Sequence, residues 1–343
     1  MEKDPLKYVR PNILSLEPYS TARDEYAGGE IDVGLDANES PYDNGVNRYP
    51  DPHHKALKAR VAELKGMRAE AIFIGGAGSD EAIDLTYRIF CTPGRDKAVV
   101  TSPTYGVYSV AARINDVELV DVPLRPDYSL PVDELLAVKD AKLIWICSPN
   151  NPTGNAFPAA DILRVVGGFD GIVAVDEAYA DFMEGESMLR HLADHPNMVV
   201  LQTFSKAWGM AGLRAGMAFA SPEIATLYNR VKYPYNMNAP TQAEVMRRID
   251  MGLQNHVEEI VKERKMLEIA LSALPYVLKV WPSDANFLLV DMEEPDHVYD
   301  YLTRRGVIVR NRSRVRGCGP ALRITVGTPA ENRKLISLLR EYK

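Results

Sequence analysis

The chain has 343 residues, 46% of them hydrophobic and 25% charged, with a formal net charge of −7. That length holds one large core or two domains, and the ordinary charged fraction argues against disorder or a fibrous repeat. A mildly acidic protein is a poor candidate for non-specific nucleic-acid binding, which needs clustered Lys and Arg; basic residues gather near the C-terminus, in Arg304–Arg305 and Arg310–Arg316, and neither nucleic acid nor a membrane is expected as a partner.

The opening Met1-Glu-Lys-Asp-Pro5 is charged and has no apolar segment of the kind a secretory signal needs. No apolar run approaches the ~20 residues that span a bilayer, and the cytoplasm is the expected compartment. Residues 1–30 carry Pro5, Pro11, Pro18 and Gly28-Gly29 and read as an irregular arm with a short helix. From about residue 70 short apolar runs alternate with helical stretches. Ala71–Ile74 reads as a strand ending in Gly75-Gly76. A helix follows from Ser79 to about Phe90, with Ala82, Ile83, Leu85, Ile89 and Phe90 largely on one face. Then come a strand (Ala98–Thr101), a helix (Tyr105–Ile114), strands at Glu118–Val122 and Leu143–Cys147, a helix (Ala159–Val166), and strands at Ile172–Val175, Met198–Thr203 and Gly216–Ala220. Several of these strands are apolar almost throughout, which predicts an α/β domain whose mostly parallel sheet is covered by helices on both faces.

From Thr241 to about Leu274 the pattern is helical and amphipathic, until Pro275 breaks it. The tail reads as strands at Val277–Trp281 and Asn286–Asp291, a helix (Asp296–Arg305), strands at Val307–Arg310 and Leu322–Val326, and a helix (Ala330–Tyr342). The expected organisation is an arm (1–30), a large domain (31–240), and a linking helix with a small α+β domain (241–343). A cleft between the two domains is a natural small-molecule site. Cys91, Cys147 and Cys318 are far apart and form no CxxC pair, so neither a disulfide framework nor a metal site is expected.

Several predicted strand ends carry groups suited to one ligand. Lys206 lies in Thr203-Phe-Ser-Lys206, just after the Met198–Thr203 strand. Ligands of parallel sheets gather at carboxyl ends of strands, and a lysine desolvated there becomes a nucleophile toward an aldehyde. Alone it reads as a loop lysine. Asp176 ends the apolar run Gly171-Ile-Val-Ala-Val-Asp176; it is either a helix cap or the partner of a buried cation such as a protonated pyridine. Tyr179 lies within reach of the same ligand. Asn151, in Cys147-Ser-Pro-Asn-Asn151-Pro-Thr-Gly154, sits in a tight turn that also follows a strand. Gly75-Gly-Ala-Gly-Ser79-Asp80-Glu81 joins strand to helix as a phosphate-approaching turn, although it is neither a Walker loop nor a GxGxxG fingerprint. Tyr105 offers a ring either for core packing or for stacking on a flat cofactor. Taken together, these residues suit one flat, anionic, phosphorylated ring.

The blocks Leu16-Glu-Pro-Tyr19, Leu35-Asp-Ala-Asn-Glu39, Arg48-Tyr-Pro-Asp51, Ser148-Pro-Asn-Asn-Pro-Thr-Gly154, Asp176-Glu-Ala-Tyr179, Ser205-Lys-Ala207, Ala211-Gly-Leu-Arg214 and Leu322-Arg-Ile-Thr-Val-Gly327 run along nearly the whole chain. In them the sequence resembles the class I/II pyridoxal-phosphate-dependent aminotransferases of the aspartate-aminotransferase fold (fold type I). More narrowly it is similar to their histidinol-phosphate branch. The resemblance implies pyridoxal 5′-phosphate held as a Schiff base on Lys206, which is also the proton carrier. It implies Asp176 on the pyridine nitrogen, Tyr179 and Asn151 on the ring oxygen, and Tyr105 stacked on the ring. The cofactor phosphate would be held by the Ser79 and Asp80 amides with Thr203, Ser205, Arg214 and, from a neighbouring subunit, Tyr49. That last residue implies a homodimer.

For the substrate the resemblance implies Arg323, helped by Arg310, Tyr19 and Asn38. Arginine suits the task because its fork clamps a carboxylate or phosphate with two hydrogen bonds. The implied reaction passes an amino group between L-glutamate/2-oxoglutarate and histidinol phosphate or a related compound. An amino-acid-phosphate decarboxylase (threonine-phosphate-like) and an aromatic amino acid aminotransferase stand as alternatives on the same scaffold. A relic, non-catalytic site disagrees with the intact Lys206, Asp176 and Arg214. Two departures stand out: Trp208, where the family more often has phenylalanine or tyrosine, and the basic, glycine-rich Arg314-Val-Arg-Gly-Cys-Gly-Pro320.

Overall fold

A computed structural model describes residues 4–21, 25–26, 31–252 and 256–342. Gly28-Gly29 of the arm and residues 253–255 of the long helical stretch lie outside the described residues. The large sheet has seven strands: β1 (Ile72–Gly78), β2 (Lys97–Val100), β3 (Glu118–Asp121), β4 (Ala141–Cys147), β5 (Ile172–Asp176), β6 (Met198–Thr203) and β7 (Gly216–Phe219). Their spatial order is β1-β7-β6-β5-β4-β2-β3. β2, β3, β4, β5 and β6 pair in parallel, whereas β7 runs antiparallel to both β6 and β1.

Side chains alternate across the sheet, as the strand period demands. Ile144, Ile146, Val173, Val175, Met198 and Val200 face one way, packing with Ile162, Val165 and Val166 of the helix Ala159–Gly168. Leu143, Trp145, Ile172, Ala174, Val199 and Leu201 face the other way, toward Ile83, Ile89 and Phe90 of the helix Ser79–Phe90. Both faces are dry, which is why these strands read as unbroken apolar runs.

A second, wholly antiparallel sheet has the order β10-β11-β9-β8, built from β8 (Val277–Val280), β9 (Phe287–Met292), β10 (Arg310–Asn311) and β11 (Ala321–Thr325). The helices His256–Ser272, Pro295–Thr303 and Pro329–Glu341 cover it. The last of these opens with a capping box between Thr328 and Glu331.

Several boundaries differ from the sequence reading. The stretch from Thr241 to Leu274 is two helices, Ala239–Asp250 and His256–Ser272. The first is stopped by Gly252 in the left-handed region, whose N–H closes on Ile249 O. The strand expected over Val307–Arg310 shrinks to Arg310–Asn311, because only that pair finds a ladder partner on β11. The helix expected from Tyr105 begins at Val107, which leaves Tyr105 on the approach to it. Among the described residues, three α-helices were not foreseen: Lys55–Lys65, Val132–Ala137 and Pro222–Val231. The described part of the arm includes short helical turns at Pro5–Tyr8 and Pro11–Leu14, with Tyr8, Val9 and Ile13 buried.

Candidate active site

The topology decides which residues meet. β1, β2, β4, β5 and β6 all point their carboxyl ends to one edge of the sheet, where Ser79, Tyr105, Asn151, Asp176 and Lys206 follow or close them. β7 runs the other way, so Arg214, two residues before its start, arrives at the same edge. β10 and β11 of the small sheet supply Arg310 and Arg323 from across the cleft. Of the residues expected from the sequence, Ser79, Asp80, Tyr105, Asn151, Asp176, Tyr179, Thr203, Ser205, Lys206, Arg214, Arg310 and Arg323 line one cavity of about 610 Å³. Asn38 and Tyr49 are not brought there; they line a separate depression of about 440 Å³. Tyr19 lines neither, and is 73% exposed.

One end of the cavity is built for an anion. Gly78 sits at φ +76°, and a side chain there would put its Cβ 2.9 Å from Arg214 Nη2. Gly216 lets the Ser79 backbone approach so closely that a Cβ would lie 2.1 Å from Ser79 N. The amino end of the helix Ser79–Phe90 thereby opens directly onto the cavity with its free amides and positive dipole end. Glu81 holds the preceding turn by accepting from Gly76 N (2.6 Å) and Ala77 N (3.3 Å). Arg214, itself left-handed at φ +54°, donates to Ala77 O (3.1 Å) and lies 3.5 Å from Asp80 Oδ2. Thr203 Oγ1 donates to Ser205 Oγ (3.0 Å) and accepts from Ser205 N (3.1 Å), which fixes the turn that leads to Lys206.

The middle of the cavity holds a carboxylate and an amine. Asp176 is 2% exposed. Its oxygens accept from Tyr108 Oη (2.6 Å) and Ala178 N (3.1 Å). Burial pushes its carboxyl up to about 6 against the downward pull of those donors, with Asp80 adding to the rise and Lys206 opposing it. Tyr108 is fully buried and stacked on Trp145, with centroids 4.8 Å apart and planes 8° from parallel. Lys206 presents exposed surface to the cavity, yet the walls around its ammonium desolvate it. Desolvation first, and the charge of Arg323 second, lower its pKa, so more of it stands as free amine than in water. Its Nζ lies 5.4 Å from the centre of the Tyr179 ring. Tyr179 is held edge-on by Phe287 at 5.1 Å, and burial raises its phenol. Tyr105 donates to Asp80 Oδ1 (3.1 Å) and meets Tyr108 edge-on at 5.6 Å.

The far wall is positive. Arg323 donates to Asn151 Oδ1 and lies 5.1 Å from the Phe287 ring centre, and its Nε is buried without a hydrogen-bond partner. Burial and the neighbouring Arg312 and Arg310 lower its pKa. Chemically, the cavity offers an anion cradle, a buried carboxylate, a desolvated amine and a second, separate anion site.

Two residues facing this arrangement were missed from the sequence. Tyr108 carries the signal of its spacing from Tyr105 on one helical approach, but nothing in the sequence ties it to Asp176. Arg312 lies in the basic run already noted and lines the cavity beside Arg310. Its strand partner is what separates it from its solvated neighbours.

The family model for aminotransferase class I and II matches residues 24–339. The chain is 49% identical over 339 residues to a histidinol-phosphate aminotransferase of Bacteroides fragilis, covering 98% of each chain. It is 48% identical over 345 residues to one of Parabacteroides distasonis, covering 99% of each. Among solved structures, histidinol-phosphate aminotransferase from Sinorhizobium meliloti in complex with pyridoxal-5′-phosphate superposes with a TM-score of 0.78 at 24% identity, over 86% of this chain and 82% of that one. That last likeness is one of fold.

Proposed function

The chain belongs to the class I and II aminotransferase family, and from that premise we propose that it is a histidinol-phosphate:2-oxoglutarate aminotransferase whose cofactor is pyridoxal 5′-phosphate. The observation that carries the reading is a desolvated lysine amine and a buried carboxylate sharing one cavity with a wall of arginines. The residues fit the cofactor. Asp176 is buried with two neutral donors and, among the described residues, no ion-pair partner, which suits a ring cation arriving with the ligand. Gly78 at φ +76° and Gly216, where a Cβ would lie 2.1 Å from Ser79 N, let the backbone beside Arg214 come close enough to suit a phosphate.

When bound, pyridoxal 5′-phosphate supplies an aldehyde that takes an amine and a ring that accepts the electron pair left when a proton departs. Lys206 would hold it covalently through Nζ, and the same amine would carry the proton that leaves the substrate Cα. Asp176 would pair with the pyridine nitrogen. Tyr179 and Asn151 would orient the ring oxygen, and Tyr105 would cover a ring face. The Ser79 and Asp80 amides, Thr203, Ser205 and Arg214 would grip the phosphate. Arg323 and Arg310 would bind the anionic end of the substrate. L-Glutamate gives its amino group and leaves as 2-oxoglutarate; the nitrogen then passes reversibly between imidazole-acetol phosphate and histidinol phosphate.

The working unit in this reading is a homodimer. Ile31, Val33, Leu35, Tyr42 and Val46 are all 46–88% exposed, a run of apolar surface suited to a second copy. Tyr49, Asn38 and Tyr19 would then complete the partner's cavity rather than their own. Three buried free cysteines accord with a reducing, cytoplasmic setting. Among the described residues, no helix is long and apolar enough to cross a membrane.

The test is a steady-state panel of amino donors and acceptors on the holoenzyme and on Lys206→Ala. Turnover of histidinol phosphate with 2-oxoglutarate, reduced by ~10² or more in the variant, is the expected result. Carbon dioxide release without a keto acid, or a preference for phenylalanine and tyrosine, would overturn it.

A further inference from the structure

The basic run near the C-terminus resolves into residues with different surroundings. Arg316 is 81% exposed at its side chain and lies 3.4 Å from Asp121, while Arg314 faces solvent. Arg312 differs from both. In the β10–β11 ladder Arg310 pairs with Arg323 and Asn311 with Leu322, and the Arg312 N–H extends the pairing by donating to Ala321 O at 2.8 Å. Strand alternation therefore puts Arg310, Arg312 and Arg323 on the cavity face. Leu322 goes to the small-domain core, and the Asn311 side chain turns to Asp296.

These three guanidinium groups have no carboxylate in ion-pair contact among the described residues. The one side-chain acceptor among them is the neutral Asn151 oxygen that takes Arg323. The Nε atoms of both Arg312 and Arg323 are shut off from solvent without a hydrogen-bond partner. Burial and mutual repulsion lower the pKa of Arg312 and Arg323 alike. Such a wall is unfavourable by itself and gains most from a ligand bearing more than one negative charge. A carboxylate saturates one fork, whereas a phosphate monoester, with three terminal oxygens and close to two charges, can engage several.

We propose that Arg312 is a specificity-determining residue that binds the phosphate monoester of the amino substrate, joining Arg310 and Arg323, and that it contributes far less to the carboxylate of glutamate. The inference rests on the transamination reading above and deepens it. It explains how one wall serves two anions: glutamate needs the Arg323 fork, and the phosphate substrate recruits Arg312 as well.

The experiment uses the holoenzyme and the variants Arg312→Gln, Arg312→Lys and, as a surface control, Arg316→Gln. Losing a charge-assisted contact should raise KM for histidinol phosphate roughly ten- to a hundredfold in Arg312→Gln, with kcat within a few-fold. The glutamate half-reaction should change less than about fivefold by the same scale. Inhibition of that half-reaction by inorganic phosphate should weaken in parallel with KM. Arg312→Lys, which keeps the charge and loses the fork, should fall between wild type and Arg312→Gln; it carries the test if the glutamine variant melts early. Arg316→Gln should match wild type. Unchanged KM and unchanged phosphate inhibition in both Arg312 variants would overturn the assignment, as would equal losses for both substrates. Failure of the wild type to use histidinol phosphate, with phosphate inhibition still weakened by Arg312→Gln, would instead defeat the substrate reading and leave Arg312 as an anion contact.

Discussion

Replacing Asp176 by asparagine should stabilise the cofactor-free protein and weaken the holoenzyme. The carboxyl is pushed up from an ordinary 3.8 to about 6, chiefly by burial. Each tenfold change in proton affinity is worth ~1.4 kcal/mol, so keeping this group ionised in the folded apo-protein at pH 8 costs roughly 3 kcal/mol. Asparagine is nearly isosteric. Its oxygen can accept from Ala178 N, and its amide can donate to the Tyr108 oxygen, so the packing on the Tyr108–Trp145 stack survives. The variant apo-protein should gain ~1–3 kcal/mol at pH 8. Because the folded wild type binds this proton more tightly than the unfolded chain, its stability should fall as pH rises from about 4 through about 6. The variant should lack that fall. With cofactor bound the sign reverses, because the partner of the pyridine nitrogen is gone. Urea unfolding of stripped and reconstituted protein between pH 4.5 and 8, at fixed protomer concentration, measures both effects. Loss of stability in the apo variant at pH 8, or a gap indifferent to pH, would refute the reasoning.

Two further outcomes follow from the same geometry. Tyr108→Phe keeps the ring on Trp145 and removes the hydroxyl that donates to Asp176, so cofactor affinity should drop about tenfold while the melting temperature moves little; equilibrium dialysis would detect it, and unchanged affinity would count against a positioning role. If Tyr49 serves the partner's cavity, co-expressed Tyr49→Ala and Lys206→Ala chains should recover up to about a quarter of wild-type activity through hybrid dimers with one intact site. Activity no greater than that of the separate variants would place Tyr49 outside the site.

What the sequence made legible was the periodic and the punctuated. The start of the helix Ser79–Phe90 is legible at Ser79 because Gly78 precedes it, and its approximate end follows from its continuous apolar face. β6 was read to the residue because its run is apolar up to the hydroxyl of Thr203. Lys55–Lys65 escaped notice because it buries only Leu57 and Val61 among lysines, alanines and charged residues, too few for a visible stripe. Pro222–Val231 was hidden by a proline that, at the first turn, starts a helix rather than ending one. The antiparallel setting of β7 is a property of pairing, and no local pattern encodes it. The site divides in the same way. Residues at strand ends could be nominated one by one. The Tyr108–Asp176 bond, and the shared face of Arg310, Arg312 and Arg323, depend on which strands become neighbours.

The central claim is that the nitrogen of Lys206 carries the cofactor. Borohydride reduction of the purified holoenzyme, followed by proteolysis and peptide mass spectrometry, tests it most directly. The prediction is a single phosphopyridoxyl adduct on the peptide containing Lys206. An adduct on another lysine, or none on protein that contains the cofactor, would contradict the account.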